Sequence, residues 1–208
     1  MKEYLEAVKS GLDDIALASE HPECFAKYGK AREDLRNAVN EKEKNKKLKK
    51  EYDEAKLREW QKDCIERVKN QTNRTVTWVY DYEGNQGKTW LAKYLVAREG
   101  AYYVDGGKAA DIIYAYKNNP IVIFDFTRQQ EERVNYSLIE KFKNGIAFSA
   151  KYKSEMKVFD APKILCLSNF DPDRSMLSND RWDMITLSKE KPIVRCFVCR
   201  CRPCSCNK

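Results

Sequence analysis

Apolar residues recur at helical spacing through the first forty positions: Tyr4, Leu5, Val8, then Leu12, Ile15, Ala16, then Phe25, Tyr28, Ala31, Leu35 and Val39. The spacing predicts a small helical unit over 1–40, broken at Pro22 because proline cannot continue a helix. A core this small is not expected to be stable alone, so packing on a partner or a second copy of the chain follows. From Glu41 to Asn70 the chain is mostly charged, and Leu48, Tyr52, Ala55, Trp60, Cys64, Ile65 and Val68 supply a thin apolar stripe within the segment 41–73. A solvated helix or linker is the expected state, with nucleic-acid binding by its lysines as the alternative.

At Arg74 the pattern changes. Thr75–Tyr80 is β-branched and aromatic, and apolar runs return at 101–105, Ile121–Phe126, Lys163–Ser168 and Met184–Leu187. Between them, 109–117 and 131–143 read as helices. Strands alternating with helices predict an α/β fold whose mostly parallel sheet is covered by helices, over 74–190. The last segment, 191–208, is rich in Cys and Arg.

Between the first strand and the next helix lies Gly84-Asn85-Gln86-Gly87-Lys88-Thr89. Glycines let successive backbone N–H groups turn inward around phosphate oxygens, and the following helix adds positive partial charge at its N-terminus. Lys88 is placed to reach the β- and γ-phosphates of ATP, and Thr89 to ligate Mg²⁺ through its hydroxyl. The strict spacing wants glycine five residues before Gly87, where Tyr82 stands. The buried run Ile121-Val122-Ile123-Phe124 ends in Asp125, the position from which one carboxylate helps to hold Mg²⁺. Phe126 follows, so the usual second acid is missing, and either Asp125 serves alone or Glu131 or Glu132 orients the attacking water. Asn169, just past the strand at 163–168, is suited to sensing a γ-phosphate, although asparagine there is also ordinary turn chemistry.

Composition narrows the chemistry. The 208 residues hold 39 Lys+Arg against 32 Asp+Glu, for a net charge of +7, which favours an acidic partner. A single histidine, His21, excludes paired-histidine metal sites and HExxH hydrolysis. No run of 18 apolar residues exists, and no signal-peptide segment is read at the start, so a soluble, intracellular protein without a membrane partner is expected. Cys24, Cys64 and Cys166 are scattered as in a reduced protein.

Taken together, Trp78-Val79-Tyr80 leading into the glycine loop, Ile123-Phe124-Asp125-Phe126-Thr127-Arg128, Phe142-Lys143-Asn144-Gly145 with Ser149-Ala150-Lys151-Tyr152, and Ser168-Asn169-Phe170 resemble the superfamily 3 helicase domain of replication-initiator (Rep) proteins of circular single-stranded DNA viruses. The nanovirus and alphasatellite branch is the nearest in appearance. The resemblance implies a P-loop NTPase of AAA+-like fold preceded by an oligomerisation segment. It also implies a homo-oligomeric ring, of hexameric order, that hydrolyses ATP with Mg²⁺ and moves along single-stranded DNA in a host nucleus. Gly84, Gly87, Lys88 and Thr89 would be the Walker A residues, Asp125 Walker B, and Asn169 the sensor. Lys143–Lys157 would be the DNA-contacting loop, with Lys143, Lys151, Tyr152 and Lys153 on DNA. Arg181 would be the arginine finger, with Arg174 and Arg128 competing. Lysines hold phosphates without reading sequence and aromatics stack on bases, which suits such a loop. The paired-histidine nicking domain of full initiators has no counterpart here, so nicking is not expected.

The tail Cys196-x-x-Cys199-x-Cys201-x-x-Cys204-x-Cys206 has thiolates enough for zinc, but its pairs stand too close for an ordinary zinc-ribbon loop. A flexible tail without metal is expected. Two other readings of the chain stay open: a nucleotide-gated, DNA-binding oligomerisation module with weak ATPase, and a small-molecule P-loop kinase.

Overall fold

A computed structural model describes residues 1–149 and 155–187, and divides the chain into two compact units, Met1–Lys56 and Leu57–Lys208. The first holds α1 (Lys2–Lys9), α2 (Asp14–Glu20), α3 (Pro22–Lys27) and α4 (Gly29–Asp53). Asp13 caps α2 by accepting from the Ala16 N–H at 2.8 Å, and Pro22 opens α3, where its missing N–H costs nothing. Only Tyr4, Val8 and Leu17 are fully enclosed, ringed by Leu12, Phe25, Tyr28 and Leu35. Arg32 lies over the Phe25 ring at 3.7 Å and donates to the Tyr4 hydroxyl, so its stem and charge both serve this small core. The charged run after Val39 continues α4 without a break as far as Asp53, and α4 buries no residue.

The second unit begins earlier than the hydrophobic pattern suggests. Its α5 (Glu59–Lys69) packs Cys64 and Val68 against the sheet, so the segment from Leu57, charged on its outer face, belongs to the core. There follow β1 (Val76–Tyr80), α6 (Lys88–Glu99), β2 (Tyr102–Val104), α7 (Ala109–Ala115), β3 (Ile121–Asp125), α8 (Tyr136–Lys143), β4 (Ile146–Ser149), β5 (Glu155–Val158), β6 (Lys163–Ser168) and β7 (Trp182–Thr186). Five strands form one parallel sheet in the order β2-β3-β6-β1-β7, while β4 and β5 make a separate antiparallel hairpin. This is the α/β, P-loop NTPase-like arrangement with helices before it that the residue pattern predicts.

Alternation along the central strands divides the core. Val79, Ile123, Leu165 and Leu167 meet Leu91, Ala92 and Leu95 of α6 on one face. Trp78, Phe124, Ile164 and Cys166 meet Ile112, Ile139 and Phe142 of α7 and α8 on the other. Burial on both faces is why these strands read as unbroken apolar runs. Gln71 ties the base of the sheet together: its amide donates to Thr77 Oγ1 and the Ile164 carbonyl, both at 2.7 Å, and its oxygen accepts from the Ile164 N–H at 2.8 Å. The helix expected over 131–143 starts instead as a 3-10 turn, Arg128–Arg133, and α8 begins afresh where Asn135 caps the Leu138 N–H at 2.9 Å. A local side-chain cap has replaced the continuous helix.

Candidate active site

In a parallel sheet the C-terminal ends of the strands share one edge, and a glycine loop between β1 and α6 must lie there. Gly84 (φ +92°), Asn85 (φ +60°) and Gly87 (φ +85°) take left-handed backbone conformations, which turn the loop back on itself. Gly87 is the N-cap of α6, and a Cβ there would stand 3.3 Å from Gln61 Nε2.

Asp81, which follows β1 directly, organises this loop. Its side chain is completely buried and accepts from the N–H groups of Glu83 (3.1 Å) and Gly84 (2.9 Å). It also pairs with Lys88 Nζ at 3.3 Å, and Lys88 is itself 8% exposed. The Asp81 carbonyl accepts from Asn169 Nδ2 at 2.8 Å, which joins the end of β6 to the loop. On the neighbouring strand, Asp125 Oδ2 accepts from Thr89 Oγ1 at 3.2 Å and from the Tyr103 hydroxyl at 3.0 Å. Gly84 through Thr89, Asp125 and Asn169 are thus gathered at the ends of β1, β3 and β6. Two arginines flank the loop: Arg128 donates to the carbonyls of Tyr82 and Glu83, and Arg58 to that of Gln86 at 2.9 Å.

The donor set decides what cation could fit. Among the described residues, no group of three or more His, Cys, Asp or Glu could hold a metal by itself. One hydroxyl and one carboxylate do suit Mg²⁺, which keeps most of its waters and is held by one or two protein oxygens together with substrate phosphates. Phe126 has no side-chain oxygen to add, and its ring is stacked on Trp78 (5.4 Å) and Phe124 (6.0 Å).

Other predicted residues are not brought here. Lys143 is 4% exposed, and its ammonium donates to Gln71 Oε1 (3.0 Å) and the Thr72 carbonyl (3.2 Å), so it is structural and not presented to DNA. Burial, then the charges of Lys163 and Arg181, lower its pKa to about 8. Arg181 lies just before β7, whose first residue, Trp182, pairs with Val76 at the opposite edge of the sheet from the loop. It is 8% exposed and faces Glu140 at 3.8 Å. Lys157 also turns inward, donating to the carbonyls of Ile113 and Tyr114 at the end of α7, where a cation is favoured. Lys151, Tyr152, Lys153 and the cysteine tail lie outside the described residues. Cys24, Cys64 and Cys166 are free thiols, and burial pushes Cys64 up to about 12.

Sequence reasoning missed Asp81, Tyr103, Arg58 and Gln61. Only Asp81 carried a readable signal, an acid between a buried strand and a glycine loop. The others arrive through space.

Residues 77–170 match the RNA helicase family. The chain is 35% identical over 181 residues to the master replication protein of faba bean necrotic yellows virus, an alignment covering 85% of this chain and 63% of that protein. It is 40% identical over 114 residues to the master replication protein of banana bunchy top virus, covering 55% of this chain and 40% of the relative. It is 37% identical over 135 residues to Para-Rep C7 of the faba bean necrotic yellows C7 alphasatellite, covering 62% and 48%. The chain therefore spans less than two thirds of the length of these curated relatives. The resemblance to the helicase domain of viral replication-initiator proteins, drawn from the motifs, is borne out.

Proposed function

We propose that this helicase-type module is an ATP-driven motor of viral DNA replication, which hydrolyses ATP between subunits of a ring and translocates on single-stranded DNA inside the host cell. The observation that carries the reading is the convergence of Lys88, Thr89, Asp125 and Asn169 at one edge of a parallel sheet, around a glycine loop turned back on itself at Gly84, Asn85 and Gly87. Lys88 would balance phosphate charge, Thr89 and Asp125 would hold a Mg²⁺ ion that neutralises charge developing on the phosphates, and Asn169 would sense the γ-phosphate from the end of β6. These roles need little covalent chemistry from the protein, because phosphoryl transfer is mostly a matter of position and charge.

The helical unit at 1–56, with its small core, suits self-association. An arginine supplied by a neighbouring subunit is better provided by Arg174, whose side chain is 54% exposed, than by the enclosed Arg181. The bound strand would lie along the segment between β4 and β5, where Lys151, Tyr152 and Lys153 fall. Asp125 acting without a second acid favours slow turnover, and this keeps the nucleotide-gated module as the second reading. Among the described residues, no helix is long and apolar enough to cross a membrane.

Binding of a fluorescent ATP analogue tests the site. Lys88→Ala should weaken it by about 100-fold or more, the scale of a lost charge-assisted contact in a partly dry site. Wild-type affinity in that variant would overturn the assignment.

A further inference from the structure

Asp125 is held by two donors, and only one of them belongs to the phosphate loop. The second is Tyr103, on the adjacent strand. In the parallel register Tyr103 stands opposite Ile123, two residues before Asp125. Alternate strand residues share a face, so Tyr103, Ile123 and Asp125 all project toward α6, where Ile123 packs with Leu91. Two residues of strand span about 6.6 Å, a distance that a phenol bridges and a shorter side chain does not. The Tyr103 hydroxyl accordingly reaches Asp125 Oδ2 at 3.0 Å. Its neighbour Tyr102 points to the other face and spends its hydroxyl on the Ile112 carbonyl at 3.1 Å, a purely structural bond.

Thr89 Oγ1 donates to the same oxygen. With both donors on Oδ2, Oδ1 is left without a hydrogen bond among the described residues. We infer that Tyr103 is a positioning residue: it fixes the Asp125 carboxylate so that one oxygen stays available to the divalent cation. This rests on the nucleotide-site reading above. Where a second acid would ordinarily share the task, Phe126 is committed to the aromatic core, and Tyr103 steadies the single carboxylate instead.

The test separates metal-dependent from metal-independent binding. ADP affinity is measured by titration calorimetry on the full chain, in EDTA and across a Mg²⁺ series, for wild type, Tyr103→Phe, Asp125→Asn and Lys88→Ala. Tyr103→Phe should keep wild-type ADP affinity in EDTA, while the gain conferred by Mg²⁺ shrinks by about three- to tenfold, as for one partly exposed hydrogen bond to a charged group. Asp125→Asn should lose most of that gain, and adding Tyr103→Phe to it should cost nothing further. A wild-type Mg²⁺ gain in Tyr103→Phe, with Lys88→Ala binding ADP far more weakly than wild type, overturns the Tyr103 inference alone. ADP binding by Lys88→Ala at wild-type strength overturns the phosphate site and the inference with it. A purely structural tyrosine would lower ADP affinity equally in EDTA and in Mg²⁺, and that result also counts against a positioning role.

Discussion

Removing the Asp81 carboxylate should unsettle the second unit more than any surface change, because a nearly enclosed ammonium depends on it. Asp81 is fully buried and Lys88 almost so, and their 3.3 Å contact is supplemented by two backbone N–H groups on the same carboxylate. Breaking a buried pair from one side typically costs about 3–5 kcal/mol, because the remaining charge is stranded. Lys88 keeps a little exposure, 8%, where Asp81 has none, so Asp81→Ala should cost about 3 kcal/mol, the low end of that range. Removing both partners in Asp81→Ala/Lys88→Met strands nothing, and the double-mutant cycle should return a coupling of at least about 1.5 kcal/mol. Urea unfolding followed by tryptophan fluorescence reads this directly, since Trp60, Trp78, Trp90 and Trp182 all lie in the second unit. With a slope near about 1.5 kcal/mol/M, the single variant should lower the midpoint by about 2 M. A single variant as stable as wild type, or a cycle additive within about 0.5 kcal/mol, would show that Asp81 and Lys88 do not stabilise the fold as a buried pair.

Two further outcomes follow from where the lysines lie. Lys143 has a pKa of about 8 in the fold against 10.5 for a free side chain, so between those values the unfolded chain binds the extra proton and its penalty on stability is relieved as pH rises. Cys64, Tyr116 and Tyr136, each pushed up to about 12, act oppositely above about pH 9, where the unfolded chain loses protons first. Between pH 7 and 9, then, wild type should gain stability relative to Lys143→Met in paired urea titrations, and a pH-independent difference would contradict the buried-ammonium account. Lys151→Ala/Lys153→Ala should weaken single-stranded DNA binding and lessen its log–log salt slope by about 1.4, at about 0.7 for each lost phosphate contact, whereas Lys143→Met should leave that slope alone. Anisotropy titrations across salt concentrations decide between them.

The parts of this protein that were legible in the sequence are those that are local or periodic. Ile121–Asp125 and Lys163–Ser168 announce themselves because a strand covered on both faces must be apolar throughout, and the glycine loop because its glycines and Lys88-Thr89 are contiguous. What stayed hidden depends on registers and helix faces. Lys143 counts as one more positive charge in a basic stretch, yet it falls on the inner side of α8, where Gln71 is waiting for it. Lys157 likewise alternates inward in the hairpin, while Ile146, Phe148, Met156 and Val158 take the outer face. Tyr103 becomes relevant only once β2 lies beside β3 in its observed register, and Arg58 and Gln61 only once α5 is laid against the loop. The charge of α5 masks its membership of the core, because its buried stripe is no wider than Gln61, Cys64 and Val68.

The proposed motor would couple ATP hydrolysis to single-stranded DNA. Steady-state phosphate release by the purified 208-residue protein, with Mg²⁺ and increasing single-stranded DNA, tests it most directly. DNA should stimulate hydrolysis severalfold and Lys88→Ala should abolish it; hydrolysis that DNA leaves unchanged, or that survives in Lys88→Ala, would contradict such coupling.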